Sequence, residues 1–407
     1  MNVSIKNTNR FELSLRHKID LLLLPFVGLA LIEFMVFGPL HPNHEFYSST
    51  RAKRVLELFT FSAEYGWELT PDLKWTDDSG NIVLCSNSDG YREFKEINPE
   101  KKPGEIRVFV PNDSIHFGDE VNQGETLCDL SEILLSDETH SWEFINASVP
   151  CWGQCQTLLR VKNEAERFDP DLYMFSACQN DPGDVFMFQS AEKVEDPNLK
   201  DQAKSKLLYG IPAANKGVLR SLQNIREWLN QNSNFFGFLS WKSASSMGDS
   251  TPDWYKKMWN TFTAKDNYTN KLIPVYLDTF SQLFQHTQGK CFVVLYPAHN
   301  YVGHELGYLP GRDFMVFHDY PNSREIPFRN ATMAHLEEHN IPYIDVLPIY
   351  LEYVKEHPEV DWQDLFATIP DQKGGTIPDR IHPSAIGHHV VAEKLPAFLK
   401  EHFPLAN

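Results

Sequence analysis

The sequence is short of basic side chains: 37 lysines and arginines stand against 55 aspartates and glutamates, for a formal net charge of −18 and a pI near 5.3. Nucleic acid and anionic lipid are both held through clustered cations. The deficit therefore excludes nucleic acid as a partner and speaks against a chain lying flat on acidic lipid. Cysteine is also scarce. The six present (Cys85, Cys128, Cys151, Cys155, Cys178, Cys291) contain no C-x-x-C pair, and Cys151 with Cys155 lack the further ligands of a zinc site. In an oxidising compartment they allow up to three disulfides, with no legible connectivity. No internal repeat or low-complexity tract occurs, which excludes a solenoid.

What is present suffices for a large core: 407 residues, 42% of them hydrophobic, imply one large domain with additions. Leu21 to Leu40 (LLLLPFVGLALIEFMVFGPL) is a run of twenty residues, long enough as a helix to cross a hydrocarbon layer of roughly 30 Å. Lys6, Arg10, Arg16 and Lys18 precede it, whereas HPNHEFYSS follows, so residues 1–20 are expected in the cytoplasm and the bulk of the chain outside it. No small-x-small cleavage site follows the run, which favours a retained anchor at 21–40 over a cleaved signal peptide or a buried amphipathic helix. Glu33 lies inside the span. A carboxylate there either faces a membrane-protein partner or sits near the outer interface.

Residues 41–104 are polar and turn-rich and read as a connector with a small helix and a hairpin. From Ile106 the rhythm becomes strand and helix in alternation. Strands are expected at 106–110, 142–145, 172–177, 290–296 and 343–346, and helices at 154–168, 327–339 and from Pro383 onward, with Pro396 dividing the last. Such alternation implies a parallel sheet covered by helices on both faces, a three-layer α/β/α architecture. An insertion at 183–289 carries an aromatic-rich stretch with Phe235, Trp241, Trp254 and Trp259, either a lid or substrate platform or the insertion's own core.

The stretch EIRVFVPNDSIHFGDE, Glu105 to Glu120, places Ser114 just past a buried strand, where open α/β sheets bind ligands. Alone, such a serine is most simply a turn or cap residue. Near the carboxyl terminus Asp379 precedes His382 by three residues in DRIHP, a spacing that lets the acid fix the imidazole while its other nitrogen points outward. With both in one chain, Ser114 becomes a candidate nucleophile, His382 its base and Asp379 the orienting acid. Asp113 is expected to bond the local turn, and His388 and His389 to be surface residues of the final helix.

Four ordered blocks then resemble the SGNH (GDSL-like) hydrolases: NDSIHFG (Asn112 to Gly118), NASVPC (Asn146 to Cys151), QNDP (Gln179 to Pro182) and DRIHP (Asp379 to Pro383). The SNSDGYREF stretch, with Tyr91 and Arg92, is similar to membrane-anchored members that resemble partners of membrane-bound O-acyltransferases. The resemblance extends from about Asn87 to the carboxyl terminus. It implies a flavodoxin-like five-stranded parallel sheet in a domain at 105–407 and a serine esterase or acyltransferase needing no cofactor and no metal. It also implies an acyl ester substrate, most plausibly acetyl on a carbohydrate or polysaccharide. The oxyanion donors would come from Ser114, Cys151 and Asn180, with His116, Trp152, Gly153 and His299 as candidate substrate contacts. Two positions depart from the pattern: Asn112 stands at the first-block glycine and Cys151 at the second-block glycine. Asparagine tolerates left-handed backbone better than most residues, whereas a side chain at 151 enters a region where backbone approaches substrate. A non-catalytic binding or assembly subunit is the rival reading.

Overall fold

A computed structural model describes residues 58–76, 82–195, 267–308, 324–370 and 376–404, together with positions 197, 200, 201 and 204. All of these fall in one of the two units into which the chain divides, residues 55–213 with 253–407. The expected cytoplasmic segment, the span at 21–40 with Glu33, and the aromatic stretch from Phe235 to Trp259 lie outside the described residues. No helix among the described residues is long and apolar enough to cross a membrane.

Two antiparallel hairpins come first. Strand β1 (Phe59–Ser62) pairs with β2 (Gly66–Leu69), and β3 (Lys74–Thr76) with β4 (Ile82–Cys85). They are more than a tether. Leu58, Trp67, Leu69 and Leu84 pack with Phe117, Val149 and Trp152 into a core of their own against the main body.

The main sheet takes β5 (Glu105–Phe109), β6 (Ser141–Ile145), β7 (Leu172–Ala177), β8 (Cys291–Leu295) and β9 (Tyr343–Asp345), all parallel, in the order β6-β5-β7-β8-β9. This is the expected flavodoxin-like order, and each strand falls within a residue or so of the sequence reading. The reason is the near-continuous apolar character of strands buried on both faces. Along them the side chains alternate between two cores. Val108, Met174, Phe292 and Val294 face one layer, formed with α2 (Leu127–Leu135), α8 (Val346–Glu356), α9 (Ala385–Ala392) and α10 (Leu395–His402). Phe109, Phe175, Val293 and Leu295 face the other, formed with α3 (Gln154–Glu164), α4 (Asp181–Glu192), α5 (Ile273–His286) and α7 (Glu325–Glu338). Helices α4 and α5 belong to this layer although most of their length lies within the insertion read at 183–289. The short helices α1 (Ser114–Phe117) and α6 (His299–Glu305) sit beyond the carboxyl ends of β5 and β8. A last hairpin, β10 (Phe366–Pro370) with β11 (Thr376–Pro383), carries Asp379 and His382 and leads into α9 through Ser384, whose side chain accepts from Gly387 N. All six cysteines are free thiols.

Candidate active site

Strand β5 stops because Pro111 has no N–H to continue the ladder. The next rung is supplied by a side chain. Asn112 Nδ2 donates to Met174 O at 2.7 Å, and its Oδ1 accepts from Ser176 N at 3.0 Å, so the amide prolongs the β5–β7 pairing beyond Phe109. Its second amide hydrogen meets His116 Nδ1 at 2.8 Å, which leaves the His116 proton on Nε2. Asn112 is absent from the residues of positive φ. The expectation that it is used for left-handed tolerance is therefore corrected: it is used for its amide.

Asp113 caps α1, its Oδ1 accepting from Ile115 N at 3.1 Å and from Ser176 Oγ at 2.9 Å, as the turn reading expected. Burial pushes its carboxyl up, and the Ser176 hydroxyl partly offsets this. Ser114 follows as the first residue of α1. Beneath the helix, the buried Arg92 donates to the carbonyls of Phe117 (2.8 Å), Gly118 (2.6 Å) and Val121 (2.8 Å), which fixes the turn that aims the serine.

His382 Nε2 lies 2.8 Å from Ser114 Oγ. Its Nδ1 lies 2.9 Å from Asp379 Oδ1, in a bent approach, since that oxygen already accepts Ile381 N at 2.9 Å and His382 N at 3.0 Å. The backbone thus clamps the acid, and the acid clamps the ring. Burial pulls the His382 pKa down, but the Asp379 carboxylate outweighs it and the imidazole ends near 8. Burial pushes Asp379 up, and the imidazole with the two amides holds it well below the usual carboxylate range. All three side chains are buried, with 5–6% of their surface exposed, so a charge developing among them is weakly screened.

The loops flanking Ser114 leave β6 and β7. On the first, Cys151 adopts φ 62°, the left-handed conformation a glycine would hold without strain. On the second, half-buried Asn180 opens α4. Its Nδ2 donates to Asp184 Oδ2 at 2.9 Å, and its Oδ1 accepts from Cys178 Sγ at 2.7 Å. The first of these loops is tied to the Ser114 segment by Val149 N to Asn112 O (2.9 Å) and Asn146 Nδ2 to His116 O (3.0 Å). Such a chain of acid, imidazole and hydroxyl, with amide donors on adjoining loops, can perform nucleophilic acyl transfer.

No family model matches the sequence, and no curated protein does. The chain is similar to solved structures of a lipase/acylhydrolase from Enterococcus faecalis (12% identity over 73% of this chain and 96% of that one, TM-score 0.35). It is also similar to a member of the lipolytic protein G-D-S-L family from Veillonella parvula (11%, 74% and 99%, TM-score 0.35). A third is a catalytic variant of an acetylxylan esterase from Geobacillus stearothermophilus (12%, 73% and 93%, TM-score 0.35). Likenesses this distant leave the chemistry to be argued from the side chains.

Several expected substrate contacts are corrected. His116 is fully buried, ring edge against the Tyr296 ring with centroids 5.8 Å apart, so it supports the loop and lines no pocket. Trp152 is fully buried in the hairpin core, its Nε1 donating to Trp67 O. Gly153 has its N–H taken by Gln156 Oε1 at 3.0 Å, and a Cβ there would lie 2.8 Å from Val185 N, so it serves the close packing of α3 on α4. His299 stacks on Trp362 with centroids 4.4 Å apart. Burial lowers its pKa, and the Asn300 side chain, then the Asp379 charge, partly restore it. His388 is not a surface residue: it is fully buried and held near 3 by burial, then by Arg92 and His382, whereas His389 is exposed.

Sequence reasoning missed Asp184, which differs from any cap residue only in sharing a helical turn with Asn180. Burial pushes its carboxyl up to about 8, and the charge of Asp113 adds to this. Its ionisation places a negative charge beside the Asn180 amide, where an oxyanion would form. Ester turnover is expected to fall above pH 8, and Asp184→Asn to remove that alkaline fall; a fall that persists unchanged in the variant assigns it elsewhere.

Proposed function

We propose that the chain is a serine-dependent acyl-ester hydrolase or O-acyltransferase of SGNH type. The observation that carries the reading is the 2.8 Å contact of Ser114 Oγ with His382 Nε2, whose other nitrogen meets the clamped Asp379. Ser114 Oγ attacks the acyl carbonyl while its proton passes to His382 Nε2. The oxyanion is met by the backbone N–H groups of Ser114 and Cys151 and the free amide hydrogen of Asn180. Collapse breaks the bond to the leaving oxygen, which departs with the proton from His382 as an alcohol and leaves the acyl-serine. Water or a second alcohol then repeats the steps in reverse, giving the acid or the transferred ester.

The finer reading is an acetyl ester of a carbohydrate, in a domain carried outside the cytoplasm by the anchor at 21–40, with a membrane acyltransferase docked at Glu33. It rests on the motif resemblance and on the hydropathy and flanking charges of the amino-terminal segment. A second reading, a non-catalytic subunit of such a system, is favoured by one observation: Asp184 shares the Asn180 amide and so places an acid beside the oxyanion donors.

A fluorophosphonate probe separates the two. Intact-mass analysis is expected to find one adduct, mapped by peptide sequencing to Ser114 and absent from Ser114→Ala. An unlabelled folded protein, or an adduct on another residue, would sink the acyl-enzyme reading.

A further inference from the structure

The last turn of α7 carries His335 and Glu338, and His339 caps it, so the three are spaced i, i+3 and i+4 along one side of the helix end. One ring nitrogen from each histidine and a Glu338 carboxylate oxygen lie within 4.8 Å of one another. This face lies in the helical layer with α5, on the side of the sheet opposite the core formed by α8, α9 and α10.

The hydrogen bonds around the two rings decide which nitrogens are basic. Ser281 Oγ donates its only proton to Leu277 O at 3.1 Å, so towards His335 Nε2, 2.9 Å away, it can only accept. His335 Nε2 therefore carries the proton and Nδ1 the lone pair. His339 Nδ1 lies 2.9 Å from His335 O, and a carbonyl only accepts, so Nδ1 carries the proton and Nε2 the lone pair. An N–H anchored on a carbonyl or hydroxyl, with the opposite nitrogen left basic, is how metal-ligating histidines are oriented. The two rings stand 4.2 Å apart between centroids, and Phe284 lies against both, at 6.0 Å and 5.9 Å.

We propose that His335 Nδ1, His339 Nε2 and a Glu338 carboxylate oxygen bind a divalent first-row cation of the zinc class, with water completing the coordination. Two imidazoles and one carboxylate suit such an ion better than calcium or magnesium, which prefer oxygen ligands throughout. The site is distinct from the triad, and the Ser281 and Phe284 contacts from α5 hold its two rings.

The purified full chain, stripped with EDTA, is to be titrated with ZnCl2 by calorimetry and with CoCl2 by visible absorption. One equivalent is expected to bind, with His339→Gln lowering affinity at least tenfold and Glu338→Gln lowering it less. Both side chains are exposed, so the variants keep the fold. Ser281→Ala, which touches no metal, is expected to lower affinity by about tenfold through loss of ring orientation. Absence of a stoichiometric site, or an equivalent still bound with unchanged affinity in a His335→Ala/His339→Gln double variant, overturns the proposal. Unchanged affinity in Ser281→Ala overturns the tautomer argument on which it stands.

Discussion

A His382→Ala chain is expected to turn over an activated acetyl ester about a millionfold more slowly than the native chain, the loss typical of removing the base from a nucleophile–base pair. The geometry explains why nothing compensates. His382 Nε2 is the group bonded to Ser114 Oγ, and both are nearly closed off from bulk water, so no solvent base replaces it at speed. Adding Ser114→Ala to His382→Ala is expected to cost nothing further, because hydroxyl and imidazole act as one unit. Asp379→Ala is expected to cost less, about 10⁴-fold, since the imidazole survives but loses its orienting charge. The pH dependence follows from the sign of the histidine shift. Only neutral His382 accepts the serine proton, and its pKa is held near 8, so turnover rises as pH approaches 8 from below. In Asp379→Asn the burial of the ring is opposed only by the weaker effects of Asp119 and Asp113, and the rising limb is expected to move to lower pH. A limb that stays in place would mean that Asp379 does not set the basicity of His382.

Arg92→Met is expected to lower the unfolding free energy by about 3 kcal/mol or more, since a hydrogen bond to a charged group contributes roughly 1.5–3 kcal/mol and several are lost together, although Gly118 O keeps Val121 N at 3.3 Å and Phe117 O keeps Asn146 Nδ2 at 3.5 Å. The guanidinium is 1% exposed and donates to Phe117 O, Gly118 O and Val121 O, to Gln123 Oε1 at 3.1 Å, and more weakly to Val83 O at 3.4 Å. It also lies over the Phe117 ring, 4.9 Å from its centroid. Arg92→Lys is not expected to rescue, because an ammonium cannot reach carbonyls spread across a planar fork. Urea unfolding followed by tryptophan fluorescence reads the effect as a lower midpoint at an unchanged slope. A midpoint within experimental error of the native one would mean that the hairpins and α1 are held by packing alone. Because those carbonyls close the turn carrying Ser114, esterase activity is expected to fall along with stability.

Much of the scaffold was legible because its strands are buried on both faces and bounded by breakers. Leu172 to Ala177 was read to the residue. Ser114 stood out as a candidate at the carboxyl end of a strand, and Asp379 with His382 by their spacing in DRIHP; the residues flanking them carried no such mark. His116, Trp152 and His388 are residue types that suit a pocket as well as a core, and only the tertiary packing that buries them distinguishes the two. One hairpin was expected in the connector at 41–104; the second, and the packing of both, escaped the reading because their apolar residues are few and alternate over runs of three or four. Their partners Phe117, Val149 and Trp152 lie far along the chain. Arg92 was visible as part of a motif, but its acceptors are backbone carbonyls, which carry no sequence signal. The hairpin β10–β11 was missed for a related reason: DRIHP reads as a turn until Phe366–Pro370 is found beside it.

The amide rung at Asn112 also bears on how this chain can change. In the motif it resembles, that position is glycine. Here Met174 O, Ser176 N and His116 Nδ1 all bond to the asparagine amide, and Asn112→Gly removes all three contacts at once. The effect of that one change is therefore coupled to His116 and to the β7 edge, and it is not additive with substitutions at either.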